Sequence, residues 1–541
     1  MDNVIASLRK EILDLLHKRL SDFRDGYRQN VAILGEELIG KTTVLKKFLD
    51  GFKTEGIIPI YVEIFPHEYS LFLKRCLNSL LFNYLKGAQL LSSRETLDIL
   101  VKRTKDLLPQ TAAAAESFLK KIDKERPDRL FSELFDLFEL FSTESQRRIV
   151  IVFDEFHHLK KLGYDDICSD LGKRIMLQKN TLFIFSSSHK TLAKDILLSD
   201  LSLLFGNFET LELENFTGPG SEQIIAKIFG EIEISKDLMD FLIHFTGGHP
   251  FYLKILSEEA AVACRAAQEK TLSADILIRT LEKLLFHDWG VFNLRFTMRL
   301  ALLTLGRNKN DFIYLLDAVA LGKNRLKDLA PHLRQQRSQV IQKCNKLIDL
   351  GILAKNGSFY IIADKLLAFW LKFAHAEKLN SLSHDLTEQV AHFHRQIQSE
   401  IDVFLNVSKK SFADRICEVF NQFEVDDEIL IDRKKFQLDA FKELKLITFE
   451  NSNLRVGIFG KTQDNLWIAA IKEDGINEHD VTEFIAMARS FKQKKVNKII
   501  IGLGEIDRNA KLLAKESRIA TWGIENVNDL LELYGKPRII K

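Results

Sequence analysis

No uninterrupted apolar run of about 20 residues occurs anywhere in this chain, which excludes a hydrophobic helix of bilayer length. The first residues, Met-Asp-Asn-Val-Ile-Ala-Ser-Leu-Arg-Lys-Glu, lack the pattern of a signal peptide and read instead as an amphipathic helix. Cysteine is sparse. Cys76, Cys168, Cys264, Cys344 and Cys417 stand singly, without metal-ligand spacing, and an odd number suits free thiols in a reducing, cytoplasmic setting. Charge of one sign is not in excess: the net charge of +2 makes no global case for nucleic acid. No repeat of fixed period appears. Proline is rare, eight residues in 541, while phenylalanine is abundant at forty, a balance that points to long, Phe-packed helices rather than linkers. With 46% hydrophobic and 28% charged residues, the length suits about three or four globular domains.

The most informative stretch is Gly35-Glu36-Glu37-Leu38-Ile39-Gly40-Lys41-Thr42, which fits G-x-x-x-x-G-K-[ST]. An apolar strand is expected before it, over 30–34, and a helix after it, from Thr43. An ordinary turn can carry these letters by chance, but the flanking strand and helix are what phosphate binding requires. Backbone N–H groups at a helix N-terminus favour an anion, so the loop from Gly35 through Thr43 is expected to cradle the phosphates of ATP or ADP. Lys41 would reach the β- and γ-phosphates, and the Thr42 hydroxyl would hold Mg²⁺. A second apolar strand, over 149–153, ends in Asp154-Glu155. Acids capping a buried strand are one reading. Beside the phosphate loop, the other is that Asp154 completes the Mg²⁺ shell and Glu155 polarises the attacking water. A third strand, 181–185, runs into Ser186, Ser187 and Ser188, which either sense a γ-phosphate, with Ser187 the candidate, or begin a loop. Further strands over 57–65 and 208–213 complete an α/β sheet with its ligand at the carboxyl edge.

The phosphate loop, "VIVFDEFHHL", "FIFSSS", "LLFGN" and Thr246-Gly247-Gly248-His249-Pro250 together resemble the STAND ATPases, specifically the archaeal-type ATPase family, over about residues 20–375. The resemblance implies that Gly247, Gly248, His249 and Pro250 close a helical lid over the adenine. The same letters also spell a helix stop followed by a proline start, and a lid hinge is built that way. Where the family often has Phe/Tyr-Gly-Arg, this chain has Phe205-Gly206-Asn207, so the phosphate-supporting arginine is missing. Slow turnover, or an arginine from a partner, is implied. Arg147, Arg148 and Lys190 are the nearby cations in sequence.

The expected organisation is a P-loop ATPase core over 1–214, a helical lid over 215–289, a winged helix over 290–375, a connecting helix over 376–405 and an endonuclease-like α/β domain over 406–541. The core carries a helical insertion with segments at 71–85, 93–107, 113–122 and 128–141. The winged helix is read from helices over 311–320, 326–333 and 336–349, followed by a hairpin turning at Asn356-Gly357. Residues 321–346 hold Lys323, Arg325, Lys327, Arg334, Arg337, Lys343 and Lys346 against Asp328 alone, a local basic footprint for DNA. The alternative is that this module packs on the ATPase and transmits its state.

The last domain resembles the restriction-endonuclease-like fold of PD-(D/E)XK type, carried by "NKIIIGLG", "NAKLLAKESRIATWGIENVNDLLELYGK" and the hairpin before Lys472. Strands are expected around 449–459, 466–471, 498–503 and 519–522. The resemblance implies an Asp on one strand and Glu-x-Lys on the next. Here Ala470-Ile471-Lys472 replaces the latter, and Arg455–Ile458 offers no Asp, so an inactive nuclease fold is expected. Asp464 reads as a turn residue. Arg489, Lys492, Lys494, Lys495 and Lys498 form a basic run that either touches DNA or is a solvated helix end. The sequence is thus read as a cytosolic, Mg²⁺-dependent ATPase switch with DNA, a protein partner or a second copy of itself as possible company. The rival readings are a DNA-binding AAA+-like ATPase, an ATP-dependent nuclease and a scaffold that binds nucleotide without turnover.

Overall fold

The computed structural model describes every residue except 1, 53–55, 92–94, 202–207, 304–308, 381–385, 433, 450–451 and 490–495. Two compact units result. The first comprises 1–216 and 249–251, the second 217–248 and 252–541.

The first unit is built on five parallel strands: β1 (Asn30–Gly35), β2 (Ile57–Glu63), β3 (Arg148–Asp154), β4 (Thr181–Ser187) and β5 (Phe208–Leu213), in the order β2-β3-β4-β1-β5. β1 and β4 are buried throughout and β3 everywhere but its first residue, as unbroken apolar runs in a two-sided parallel sheet should be. Register aligns the chemistry. Glu63 pairs with Asp154, and Leu34 pairs with Ser187, so the ends of β1 to β4 share one edge.

Between β2 and β3 run the helices Tyr69–Gly87, Leu97–Thr104, Pro109–Lys121 and Pro127–Ser145. The last of these buries Leu130, Phe131, Leu134, Phe135, Leu137, Phe138 and Phe141, a spacing of three and four that keeps one face on the sheet. Full burial of each such side chain contributes about 1.5–3 kcal/mol. The rings meet at angles, as Phe135 and Phe138 do at 5.4 Å and 72°. The abundance of phenylalanine is thereby accounted for in this layer. The sequence expected the second helix over 93–107. It is shorter, and 92–94 lie outside the described residues.

The second unit begins with helices Gly218–Phe229 and Lys236–Thr246. The latter stops at Gly247 and Gly248, both with positive φ (63° and 73°), a pair of left-handed residues that side chains would strain. Helices Lys309–Ala320, Leu326–His332 and Arg337–Asp349 then lead into the antiparallel hairpin β6 (Leu353–Asn356) and β7 (Phe359–Ile362). The helix Leu386–Ser408 follows.

A further hairpin, β8 (Asp427–Ile431) and β9 (Lys434–Leu438), precedes the last sheet: β10 (Glu443–Thr448), β11 (Val456–Lys461), β12 (Leu466–Lys472), β13 (Val496–Gly502) and β14 (Ala520–Trp522), paired in that order. The β10-β11-β12 pairs are antiparallel and the β12-β13-β14 pairs parallel. The sequence expected strand structure around 449–459. Instead Phe449 lies between β10 and β11 and covers Gly457, where an added Cβ would sit 2.5 Å from its ring. Among the described residues, no helix is long and apolar enough to cross a membrane.

The β6-β7 turn is seated on β8. Asn356 donates to the Leu430 carbonyl (3.2 Å) and accepts from its N–H (2.6 Å), and Ser358 N–H donates to Glu428 O (2.9 Å). Beside it, Arg325 pairs with Asp427 at 3.0 Å and lies over the rings of Phe359 and Tyr534. Tyr534 also donates to Asp427. Asp427 is 1% exposed and Arg325 11%, whereas Glu424, which also meets Arg325 and Lys327, is 54% exposed. Breaking a buried pair costs about 3–5 kcal/mol and an exposed one about 0–1 kcal/mol. Asp427→Ala should therefore lower unfolding free energy in urea by several times the loss for Glu424→Ala. Equal losses would mean that the pair is not a buried anchor.

Candidate functional site

The loop after β1 closes tightly. A Cβ on Gly35 would lie 2.9 Å from Ile39 and 3.0 Å from the Leu213 carbonyl, so only glycine fits. Gly40 takes φ +103° at the cap of helix Lys41–Asp50, and Leu38 also has positive φ. Lys41, 4% exposed, donates to the carbonyls of Gly35 (3.2 Å) and Glu36 (2.8 Å) and stands 3.7 Å from Glu155. Burial pulls its pKa below the ordinary lysine value, against the pull of Glu155 and Asp154.

Asp154 is fully buried, and its carboxylate is shared by four donors. Thr42 Oγ1 (2.7 Å) and Tyr61 Oη (2.8 Å) bond Oδ2, while Ser186 Oγ and the Glu155 N–H bond Oδ1. Glu155 turns out of the strand with φ +54°, and its carboxylate accepts the Ser188 N–H (2.8 Å) and hydroxyl (2.7 Å). His157 Nδ1 lies 3.3 Å from the same oxygen and 2.9 Å from Ser187 Oγ. Burial first, then the neighbouring His158, His189, Lys161 and Lys41, push its pKa down to about 3, so the ring is neutral near pH 7. His249 Nε2 sits 3.1 Å from the Glu37 carbonyl, at the start of helix Pro250–Ala266.

Lys41, Thr42, Asp154 and Glu155 thus converge, as expected from the sequence, with the loop residues Glu36, Glu37, Leu38 and Ile39 between the two glycines and Thr43 in the helix. Ser187 is buried, with its hydroxyl on His157 and His189, and Ser188 is the residue on Glu155. Tyr61 and His157 were not singled out from sequence, and Ser186 and Ser188 were named only as γ-phosphate sensors or the start of a loop, not as partners of the acids. Strand register is the signal that finds them, since each lies on β2 or β4 beside β3 or just past a strand end. Arg148 begins β3 and donates to Arg24 O at the opposite edge of the sheet, Arg147 lies over Tyr84, and Lys190 meets Glu212 at 3.8 Å. Asn207 lies outside the described residues.

The other basic and acidic candidates are distributed as follows. Of the 321–346 cations, Arg325 and Lys327 face Glu424 and Asp427, Lys343 bonds Asp311 and Gln335, Lys323 bonds His332, and Lys346 lies over Phe312. Lys492, Lys494 and Lys495 are outside the described residues. Lys472 pairs with buried Asp480 at 2.7 Å, and the facing β11 and β12 positions are Gly457 with Ala470 and Ile458 with Ala469. Asp464 lies in the turn closed by Thr462 N–H on Asn465 O.

A glycine-bracketed loop between a strand and a helix, with an acid pair at a neighbouring strand tip on one edge of a parallel sheet, defines a P-loop ATPase core. Residues 8–169 match the family model described as the AAA ATPase domain. Solved structures similar to the chain include a Walker-type ATPase of Pyrococcus abyssi, 18% identical, with a TM-score of 0.48 over 67% of this chain and 95% of that one. The ORC2 protein of Aeropyrum pernix, in ADPNP–ADP complexes, is 12% identical, with a TM-score of 0.44 over 72% of this chain and 94% of its own. Cdc6p of Pyrobaculum aerophilum is 13% identical, with a TM-score of 0.36 over 73% and 94%. No match was found among curated proteins.

Proposed function

We propose that this chain is an ATP-binding, ATP-hydrolysing switch of STAND type. The observation that carries the reading is the convergence of Lys41, Thr42, Asp154 and Glu155 at the N-terminus of helix Lys41–Asp50. Phosphates would take the N–H groups of 36–43, and Lys41 would leave the carbonyls of Gly35 and Glu36 for them, exchanging neutral acceptors for charged ones. Thr42 and Asp154 are hard oxygen donors, a set that suits Mg²⁺, which supplies charge neutralisation when bound. Glu155 orients and polarises the attacking water. With Asn207 in place of an arginine, turnover is slow unless a partner or a second copy supplies one.

His249 links the phosphate loop to the first residue of helix Pro250–Ala266, which supports a lid that follows the nucleotide through Gly247, Gly248 and Pro250. We read 290–375 as a winged helix that transmits this state, joined to an endonuclease-like domain without nuclease activity. Its hairpin turn and the cations Arg325 and Lys327 are already engaged by 424–430, which favours transmission over DNA reading; Arg334 and Arg337 remain for phosphate contact.

A second reading is a DNA-binding AAA+-like ATPase; the match to the AAA ATPase domain supports its ATPase part, not the DNA. Phosphate release from ATP, measured with and without DNA at low salt, separates the two. Slow turnover indifferent to DNA, with plasmid left intact in Mg²⁺ or Mn²⁺, is the expected result. Strong stimulation by DNA supports the second reading. Plasmid cleavage that disappears in Lys472→Ala would overturn the inactive-nuclease assignment.

A further inference from the structure

Three side chains from three elements fix the Asp154 carboxylate, and two of them, on the neighbouring strands β2 and β4, lie outside the phosphate loop and the acid pair. β2 runs parallel to β3 in a register that sets Tyr61 opposite Val152 and Glu63 opposite Asp154. From two residues back along β2, the Tyr61 side chain reaches forward so that its hydroxyl donates to Asp154 Oδ2 at 2.8 Å. Thr42 donates to the same oxygen at 2.7 Å, and Ser186, on the opposite neighbour β4, donates to Oδ1. Tyr61 is itself held, since its backbone N–H donates to Ser79 Oγ (3.0 Å) on helix Tyr69–Gly87. A fully buried carboxylate keeps only the orientations that its donors allow, and a tyrosine anchored through strand and helix is a stiff donor.

We infer that Tyr61 is a positioning residue for the divalent cation: its hydroxyl fixes the plane of the Asp154 carboxylate beside the Thr42 hydroxyl. The inference rests on the proposed reading of Thr42 and Asp154 as the Mg²⁺ residues. Groups that orient a metal-holding carboxylate commonly change metal affinity by about 10- to 100-fold when removed. Tyr61→Phe keeps the ring and its packing and removes only the donor, so the variant isolates that bond.

The test measures the affinity of the full chain for a fluorescent ATP analogue, once in EDTA and once across a Mg²⁺ titration. In the wild type, Mg²⁺ should tighten binding. In Tyr61→Phe, the EDTA affinity should stay within about twofold of wild type, while the Mg²⁺ concentration that gives half the effect rises about 10-fold or more. Ser186→Ala, which frees the other oxygen of the same carboxylate, should move the Mg²⁺ midpoint in the same direction. An unchanged Mg²⁺ midpoint in Tyr61→Phe overturns the inference. So does an equal loss of affinity with and without Mg²⁺, which would make Tyr61 a packing residue. A wild-type chain that binds nucleotide equally in EDTA and Mg²⁺ refutes the metal assignment itself, and one that binds none refutes the underlying ATPase reading, so the failures are distinguishable.

Discussion

Lys41→Ala should abolish ATP binding or reduce it to the edge of detection. In the structure this ammonium is almost wholly buried and makes do with two backbone carbonyls, at 3.2 and 2.8 Å, and a carboxylate at 3.7 Å. Its lowered pKa records how poorly those neighbours replace water around a charge. A phosphate offers charged acceptors in their place. Each hydrogen bond to a charged group is worth about 1.5–3 kcal/mol, roughly 10- to 150-fold in affinity, and a lysine spanning two phosphates makes more than one. Calorimetric titration with ATP in the wild type and in Lys41→Ala measures this directly. Equal affinities would mean that the loop is not the phosphate site, whatever its glycines resemble.

Glu155→Gln should separate binding from chemistry. The amide keeps the size of the side chain, and its oxygen can still accept from Ser188, so the pocket should hold its shape. What is lost is the negative charge that draws on a water proton. General-base contributions of this kind run to roughly 10²–10⁴-fold, so ATP affinity should persist while phosphate release falls by orders of magnitude. His157 lies close enough to suggest itself as a substitute, but a ring whose pKa is driven down to about 3 is a feeble base at neutral pH. Turnover that survives Glu155→Gln unchanged would therefore remove the strand-tip acid from the mechanism altogether.

Both variants touch residues that were legible in the sequence, and the reason is physical. Lys41 and Thr42 close a glycine-bracketed motif, and Asp154 and Glu155 end an unbroken apolar run; such a motif and such a run announce a phosphate loop and a buried parallel strand without any knowledge of their neighbours. The helices Lys309–Ala320, Leu326–His332 and Arg337–Asp349 and the Asn356-Gly357 turn were legible for local reasons of their own, helical spacing and turn chemistry. The roles of Tyr61, Ser186 and Ser188 on the acid pair were not, because those roles come from which strand lies beside which, and the order β2-β3-β4-β1-β5 is not written in any one segment. β8 and β9 are not legible because no glycine in the sequence between them marks a two-residue hairpin, and β9 is largely exposed. Around β11 the apolar signal misled. Phe449 reads as strand, yet it is a lid on Gly457, just as Phe441 lies over Gly460, leaving no room there for a Cβ. A ring lying across a glycine contributes hydrophobicity to a sheet without belonging to a strand.

The three residues His249–Phe251 return to the first unit after an excursion of 32 residues, 217–248, through the second. A ribosome that has released 216 residues has made every strand of the first sheet, but the ring that bonds the Glu37 carbonyl does not yet exist. Until residue 249 emerges, the phosphate loop lacks one of its own contacts. A fragment cut at the end of β5 would carry the whole P-loop sequence and still lack that contact, so affinity measured on such a fragment would describe a loop without the His249 bond.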